Sequence, residues 1–280
     1  MNTDTVAWRS QNTIVMEFPV DLSPMDRTIT SFATKQLLGA REHQEDAVAA
    51  SRIPAHSPHA GETLLLLADG LGGHVAGARA SRLAIETFTD SFRQNHAGIP
   101  ESLKQALEGA NLAIEQDVAR HAEYTGMGTT FVGAVIRHDL LYWISVGDSL
   151  LWLLRDGGLT RLDADHSMVP ILEGLVELGR LSMEDAARDA RRHQLLSALT
   201  GREIAMIDLC AAPVSLQKGD IAILASDGIE TLTPERIADH FQHRRHASLE
   251  TIATSLLMEI MEIARPEQAN TSLVLCSVGD

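Results

Sequence analysis

Cysteine, aromatic residues and positive charge are all scarce in this 280-residue chain, and each shortage removes a class of protein. Only Cys210 and Cys276 are present, each inside an apolar run. That excludes a disulfide-stapled scaffold and predicts two small core residues in a reducing compartment. Lys and Arg total 23 against 38 Asp and Glu, a net charge of −15. Nucleic acid and anionic membrane both repel such a surface, so neither is expected as a partner. Long hydrophobic runs are missing too: Leu64 to Ala68 is typical of the longest, far below membrane-spanning length. The N-terminal MNTDTVAWRS lacks the basic and apolar regions of a signal peptide. A soluble, cytoplasmic protein is therefore expected, with no internal repeat, no low-complexity tract and no readable oligomeric state.

What is present is a 45% apolar chain, enough for a sizeable core. Residues 1–27 read as a peripheral segment with one strand, Thr13 to Phe18, ending in the turn-like Ser23-Pro24. Residues 28–280 form the folded domain. Short runs of strand character lie near 30–38, 47–53, 62–68, 128–136, 140–146, 149–154, 206–211, 219–225 and 271–277. Leu151 to Leu154 and Leu159 to Leu162 flank Asp156-Gly157, which predicts a hairpin. Helices are predicted over about Gly77 to Phe92, along the stripe Leu103, Leu107, Ala110, Ile114 and Val118 after Pro100, and from Thr233-Pro234. A fourth follows Ser248 as N-cap, with the stripe Leu249, Ile252, Leu256, Ile260 and Ile263. Neighbouring strands joined by turns, with long helices between the groups, predict an α+β fold. Its form is a four-layer α-β-β-α sandwich, two antiparallel sheets with helices outside.

Four strand ends carry carboxylates. Leu64 to Ala68 stops at Asp69, followed by Gly70, Gly72, Gly73 and His74. A buried strand holds its terminal carboxylate rigidly, and the glycines leave room for a ligand beside it. Asp69 with the Gly70 carbonyl suits a hard cation, although a hairpin turn with Asp as local acceptor would look the same. Ile221 to Ser226 ends in Asp227-Gly228, Tyr142 to Gly147 ends in Asp148, and Arg41 precedes the acidic pair Glu45-Asp46. Desolvated carboxylates repel one another, so several converging would call for bound metal.

In their order these segments resemble the metal-dependent serine/threonine protein phosphatases (PPM, type 2C) in their compact bacterial form, over roughly residues 30–280. The resemblance rests on Arg41 to Asp46, Ala68 to His74 with Ala76-Gly77, Gly128-Thr129-Thr130, Val146 to Ser149, Asp165-His166-Ser167, Leu199 to Gly201 and Ser226 to Gly228. It implies hydrolysis of phosphoserine and phosphothreonine on a phosphorylated protein substrate, with two Mn²⁺ or Mg²⁺ ions and room for a third. By the same resemblance Asp69 bridges the pair, Glu45 and the Gly70 carbonyl bind one ion, and Asp227 binds the other. Asp148 with Asp227 serves the third ion, Asp46 orients its neighbours, and Arg41 grips the phosphate. His74 is the candidate general acid, or else a loop residue beside an acidic site. Residues 168–192 correspond to the family's flap over the site, with a helix start at Ser182; a solvated surface helix is the plain alternative.

One position departs from the family pattern. In Glu267 to Leu275, Ala269 stands where a metal-binding Asp is expected. The alternative to an active enzyme is therefore a weak or inactive phosphatase-like module that binds phosphoproteins. A hydrolase of small phosphate esters is a third reading. His240, His243 and His246 are expected to sit on a solvated helix end, with a metal-binding tract as the alternative.

Overall fold

The computed structural model describes residues 29–73 and 75–279. The strand expected at Thr13 to Phe18, the rest of the N-terminal segment and His74 lie outside the described residues.

In chain order the elements are β1 (Ile29–Leu37), β2 (Ala47–Arg52), β3 (Thr63–Ala68), β4 (Gly70–Leu71), α1 (Val75–Gln94), α2 (Ile99–Arg120), β5 (Gly128–Thr129), β6 (Phe131–Arg137), β7 (Leu140–Val146), β8 (Leu150–Arg155) and β9 (Gly158–Arg161). There follow α3 (Val169–Glu177), α4 (Met183–Arg188), β10 (Asp208–Leu209), β11 (Val214–Ser215), β12 (Ile221–Ala225), α5 (Pro234–His243), α6 (Leu249–Ile263) and β13 (Thr271–Val278). One sheet has the order β1-β13-β12-β8-β9, the other β10-β7-β6-β3-β2 with β11 beside β7. Every pairing within these two sheets is antiparallel.

The layering follows from strand alternation. On β3, Leu64 and Leu66 pack under α1 and α2, while Leu65 and Leu67 face the other sheet. On β12, Ala222 and Leu224 face between the sheets, and Ile223 and Ala225 meet α5 and α6. A strand buried on both faces has no polar side to show, which is why these runs are apolar throughout. Three cores result, helix on sheet, sheet on sheet and sheet on helix, and the expected four-layer sandwich is what the chain forms.

Local signals hold closely. The β8–β9 hairpin turns at Asp156 and Gly157, both with positive φ (51° and 79°), as a two-residue turn of that twist requires. Ser248 Oγ accepts from Thr251 N at 3.2 Å and caps α6. Of the α6 stripe, Leu249, Ile252, Leu256 and Ile260 are buried, but Ile263 is exposed. The helix ends there, with Ala264 left-handed at φ 51°, and the stripe runs past its last packed turn. Cys210 and Cys276 are buried and unpaired. No helix among the described residues is long and apolar enough to cross a membrane.

Candidate metal and phosphate site

The ends of β3, β7 and β12 and the entry to β2 meet at one edge of the sandwich. Asp69 is fixed through its backbone: its N–H donates to Thr130 Oγ1 at 3.1 Å, and its carbonyl accepts from Thr130 N at 2.9 Å and Thr129 Oγ1 at 2.8 Å. Thr130 also bonds Ser149 Oγ at 2.8 Å, so one threonine ties the Asp69 turn to the residue after Asp148. This is why the run expected over 128–136 divides into β5 and β6. Gly147 turns the chain into Asp148 at φ 107°, and His166 Nδ1 accepts from Gly147 N at 3.2 Å. Burial lowers the pKa of His166, which favours the neutral acceptor form.

Asp46 is the most enclosed of the four, 4% exposed. Its Oδ2 accepts from Ser272 Oγ at 2.6 Å and Ser226 Oγ at 2.9 Å, one hydroxyl from each of two neighbouring strand ends. Its Oδ1 is buried and meets no donor, although Asp46 lies within hydrogen-bond reach of Asp69. Two acceptors in that position need a proton or a cation between them.

Gly70 donates its N–H to the Glu45 carbonyl at 3.2 Å, and a Cβ on Gly70 would collide with the Gly77 carbonyl. A Cβ on Gly77 would in turn strike Glu45 Oε2 and come within 3.1 Å of the Gly70 carbonyl oxygen. The two glycines therefore keep open a cradle in which a carboxylate and a carbonyl oxygen lie side by side. Hard divalent cations favour that donor set. Glu45 N donates to Asn270 Oδ1 at 2.9 Å, and Asn270 Nδ2 donates to Leu38 O at 2.8 Å. Ala269 is thus held between a residue anchored to Glu45 and Gln268, which donates to the Gly228 carbonyl at 3.0 Å.

The electrostatics agree. Burial raises the pKa of Asp69 well above the usual carboxylate range, and Asp46, Asp227 and Asp148 add to it. Burial lifts Asp46 to about 6 against the pull of the two serines. Asp148 is lifted to about 7 by burial, then by Asp227, Asp165 and Glu230. Asp227 is raised by burial, with His193 and Arg41 opposing. The donor set and this shortage of positive charge both fit divalent cations. Among the described residues, no three His, Cys, Asp or Glu side chains already close on one point as a ligand shell, the His240 tract included.

Of the residues singled out by sequence, Asp46, Asp69, Asp148 and Asp227 interact directly, Glu45 and Gly70 share the cradle, and exposed Arg41 acts on Asp227. Sequence reasoning missed Glu230 and His193. Glu230 stands three residues after Asp227 on one short helical turn, a spacing that could have signalled it. His193 comes from a charged stretch 34 positions upstream of Asp227, with no local signal. The expectation for His240 needs correction. It is buried, bonded to Glu259 and to Ser255 Oγ at 2.9 Å, because its face of α5 packs on α6; His243 and His246 are the exposed pair.

The sequence profile of the family described as Protein phosphatase 2C matches residues 38–275. The chain belongs to the protein phosphatase 2C family. It is 31% identical over 200 residues to the serine/threonine phosphatase stp of Listeria monocytogenes, covering 70% of this chain and 75% of that one. It is 34% identical over 188 residues to the serine/threonine protein phosphatase PstP of Mycobacterium tuberculosis, 66% of this chain but 35% of the relative's length. The crystal structure of M. tuberculosis PstP/Ppp superposes with TM-score 0.75 at 29% identity, covering 90% of this chain and 100% of that one. The catalytic domain of PstP in complex with two manganese ions superposes with TM-score 0.72 at 29% identity, with the same coverage. This phosphatase 2C chain therefore shares the fold of a relative that carries a metal pair.

Proposed function

We propose that this protein removes phosphate from phosphoserine and phosphothreonine of a protein substrate, using Mn²⁺ or Mg²⁺ held by the four-carboxylate edge. The observation that carries the proposal is the group of buried Asp46 with partly buried Asp69, Asp148 and Asp227, whose repulsion divalent cations would relieve. Glu45, the Gly70 carbonyl and Asp69 would hold one ion, Asp69 and Asp227 the second, and Asp148 with Asp227 a third. Bound there, such ions supply a water acidic enough to attack phosphorus near neutral pH.

The remaining work falls to the chain's own residues. Asp46, held by Ser226 and Ser272, is proposed to orient Asp69 once a proton or cation joins the two carboxylates. Arg41 is exposed at the mouth and offers its forked donors to phosphate oxygens. His74 is proposed to donate the proton to the leaving seryl or threonyl oxygen. Residues 168–192 are proposed as a flap over this edge, where α3 and α4 lie in sequence. Ala269 favours a slow enzyme, and with it the second reading of a phosphoprotein-binding module.

The test is phosphate release from a phosphothreonine peptide with Mn²⁺, with EDTA, and with Asp69→Ala. The reading expects release with Mn²⁺ alone. Equal release by Asp69→Ala would sink it, and binding of the phosphopeptide without release would favour the second reading.

A further inference from the structure

Away from the carboxylates, α2 and the segment after Leu199 enclose an open groove of about 640 Å³. Its lining includes three apolar side chains, Leu112, 49% exposed, Ile207, 37% exposed, and partly buried Ile204. Its rim carries Glu108, Glu115 and Glu203, all exposed, against the single cation Arg202. Lys104 reaches Glu108 only at 3.9 Å, with both side chains about half exposed, so that pair is worth little.

The groove is preformed. Gly201, at φ 75°, lies so close to α2 that a Cβ would meet the Glu115 Cα at 2.6 Å. Asn111 Oδ1 accepts from Thr200 N at 3.1 Å and Gly201 N at 2.9 Å, and its Nδ2 donates to Arg202 O at 2.7 Å. The wall continues into the metal edge. Leu199 exchanges two backbone bonds of 2.9 Å with Thr129, whose Oγ1 holds the Asp69 carbonyl.

We propose that this groove docks a basic segment, bearing one or two apolar side chains, of the phosphoprotein on which the enzyme acts. The inference rests on the phosphatase reading for the word substrate, but not for the docking itself. Apolar side chains cover Leu112, Ile204 and Ile207, while Lys or Arg meet the three rim glutamates. A second copy of a chain carrying −15 is disfavoured at an acidic rim, and so are anionic lipid and nucleic acid.

The test compares the parent, the triple variant Glu108→Lys/Glu115→Lys/Glu203→Lys, and a control with equal net charge outside the groove and the flap, Glu86→Lys/Glu235→Lys/Glu262→Lys. All six glutamates are exposed. Binding of a fluorescein-labelled Arg/Leu peptide is read by anisotropy, and KM is read for phosphorylated histone, for phosphorylated casein and for p-nitrophenyl phosphate. The groove triple is expected to weaken peptide binding and raise KM for the basic phosphoprotein by about 10-fold, the sum of three exposed pairs. KM for casein should not rise, p-nitrophenyl phosphate should be unchanged, and the control triple should behave like the parent. Equal loss in both triples, or none in either, overturns the docking site; so does a groove-dependent dimer by sedimentation. If no phosphate ester is hydrolysed but the peptide binds only with the groove intact, the docking stands and the phosphatase reading falls.

Discussion

Two sets of enclosed carboxylates in this molecule have opposite surroundings. Asp117 and Asp220 are each met by a guanidinium: Arg79 reaches Asp117 through two bonds of 2.9 Å, and Arg155 reaches Asp220 through Nε at 3.0 Å. Asp220 also caps its own turn, accepting from Gln217 N at 2.8 Å. The bond from Arg79 holds Asp117 below the usual carboxylate range. Asp46, Asp69, Asp148 and Asp227 face one another instead, and all four are raised. Burial of acid is thus no mark of function by itself. What separates the sets is whether the protein supplies the countercharge or leaves it to a ligand.

The comparison breaks most visibly at Asp69. Asp69→Ala should lower Mn²⁺-dependent phosphate release about 10³-fold, the several kcal/mol that metal-ion catalysis supplies, as measured by initial rates. The Asp227 side is expected to be short of one acid. Ala269→Asp should tighten Mn²⁺ and raise activity about 10–100-fold, measured as the Mn²⁺ concentration for half-maximal rate. No change in either the half-maximal Mn²⁺ concentration or the rate would show that position 269 is not at the metal edge.

A third test uses pH. Asp46 and Asp148 keep their protons in the folded state up to about pH 6 and 7, whereas the same groups in the unfolded chain lose them near pH 3.8. The folded state therefore binds more protons between pH 4 and 7, and metal-free stability falls as pH rises through that window. Denaturant melts in EDTA at pH 5 and 7 should differ by on the order of 2 kcal/mol, allowing for partial solvation. Smallest is the change at the paired set. Arg79→Met should cost about 1 kcal/mol of stability and leave the phosphatase rate intact, since the Arg79 side chain that covers Asp117 is itself about half exposed and water reaches the carboxylate once the guanidinium is gone.

The difference between the sets was half legible in the sequence. Asp69, Asp148 and Asp227 announce themselves because apolar strands stop at them, and a strand that ends in acid after five or six apolar residues needs a reason. The four-layer fold was readable for the same reason, since runs such as Leu64 to Ala68 and Ile221 to Ala225 must be covered on both faces. Contacts between distant segments were not readable. Nothing near Asp46 names Ser226 and Ser272, 180 and 226 positions away, as its hydrogen-bond donors. Nothing near His240 tells that Glu259 of α6 covers it, so its three-residue spacing read as a surface tract. Periodicity reports which face is buried, but not which polar group waits on the other side.

The most direct measurement of the central claim is the shift in melting temperature produced by Mn²⁺ at pH 7, in the parent and in Asp69→Asn/Asp227→Asn. If the metal edge is built for cations, Mn²⁺ raises the parent's melting temperature by about 5 °C or more and leaves the double variant unmoved. An equal shift in both proteins, or none in the parent, would contradict it.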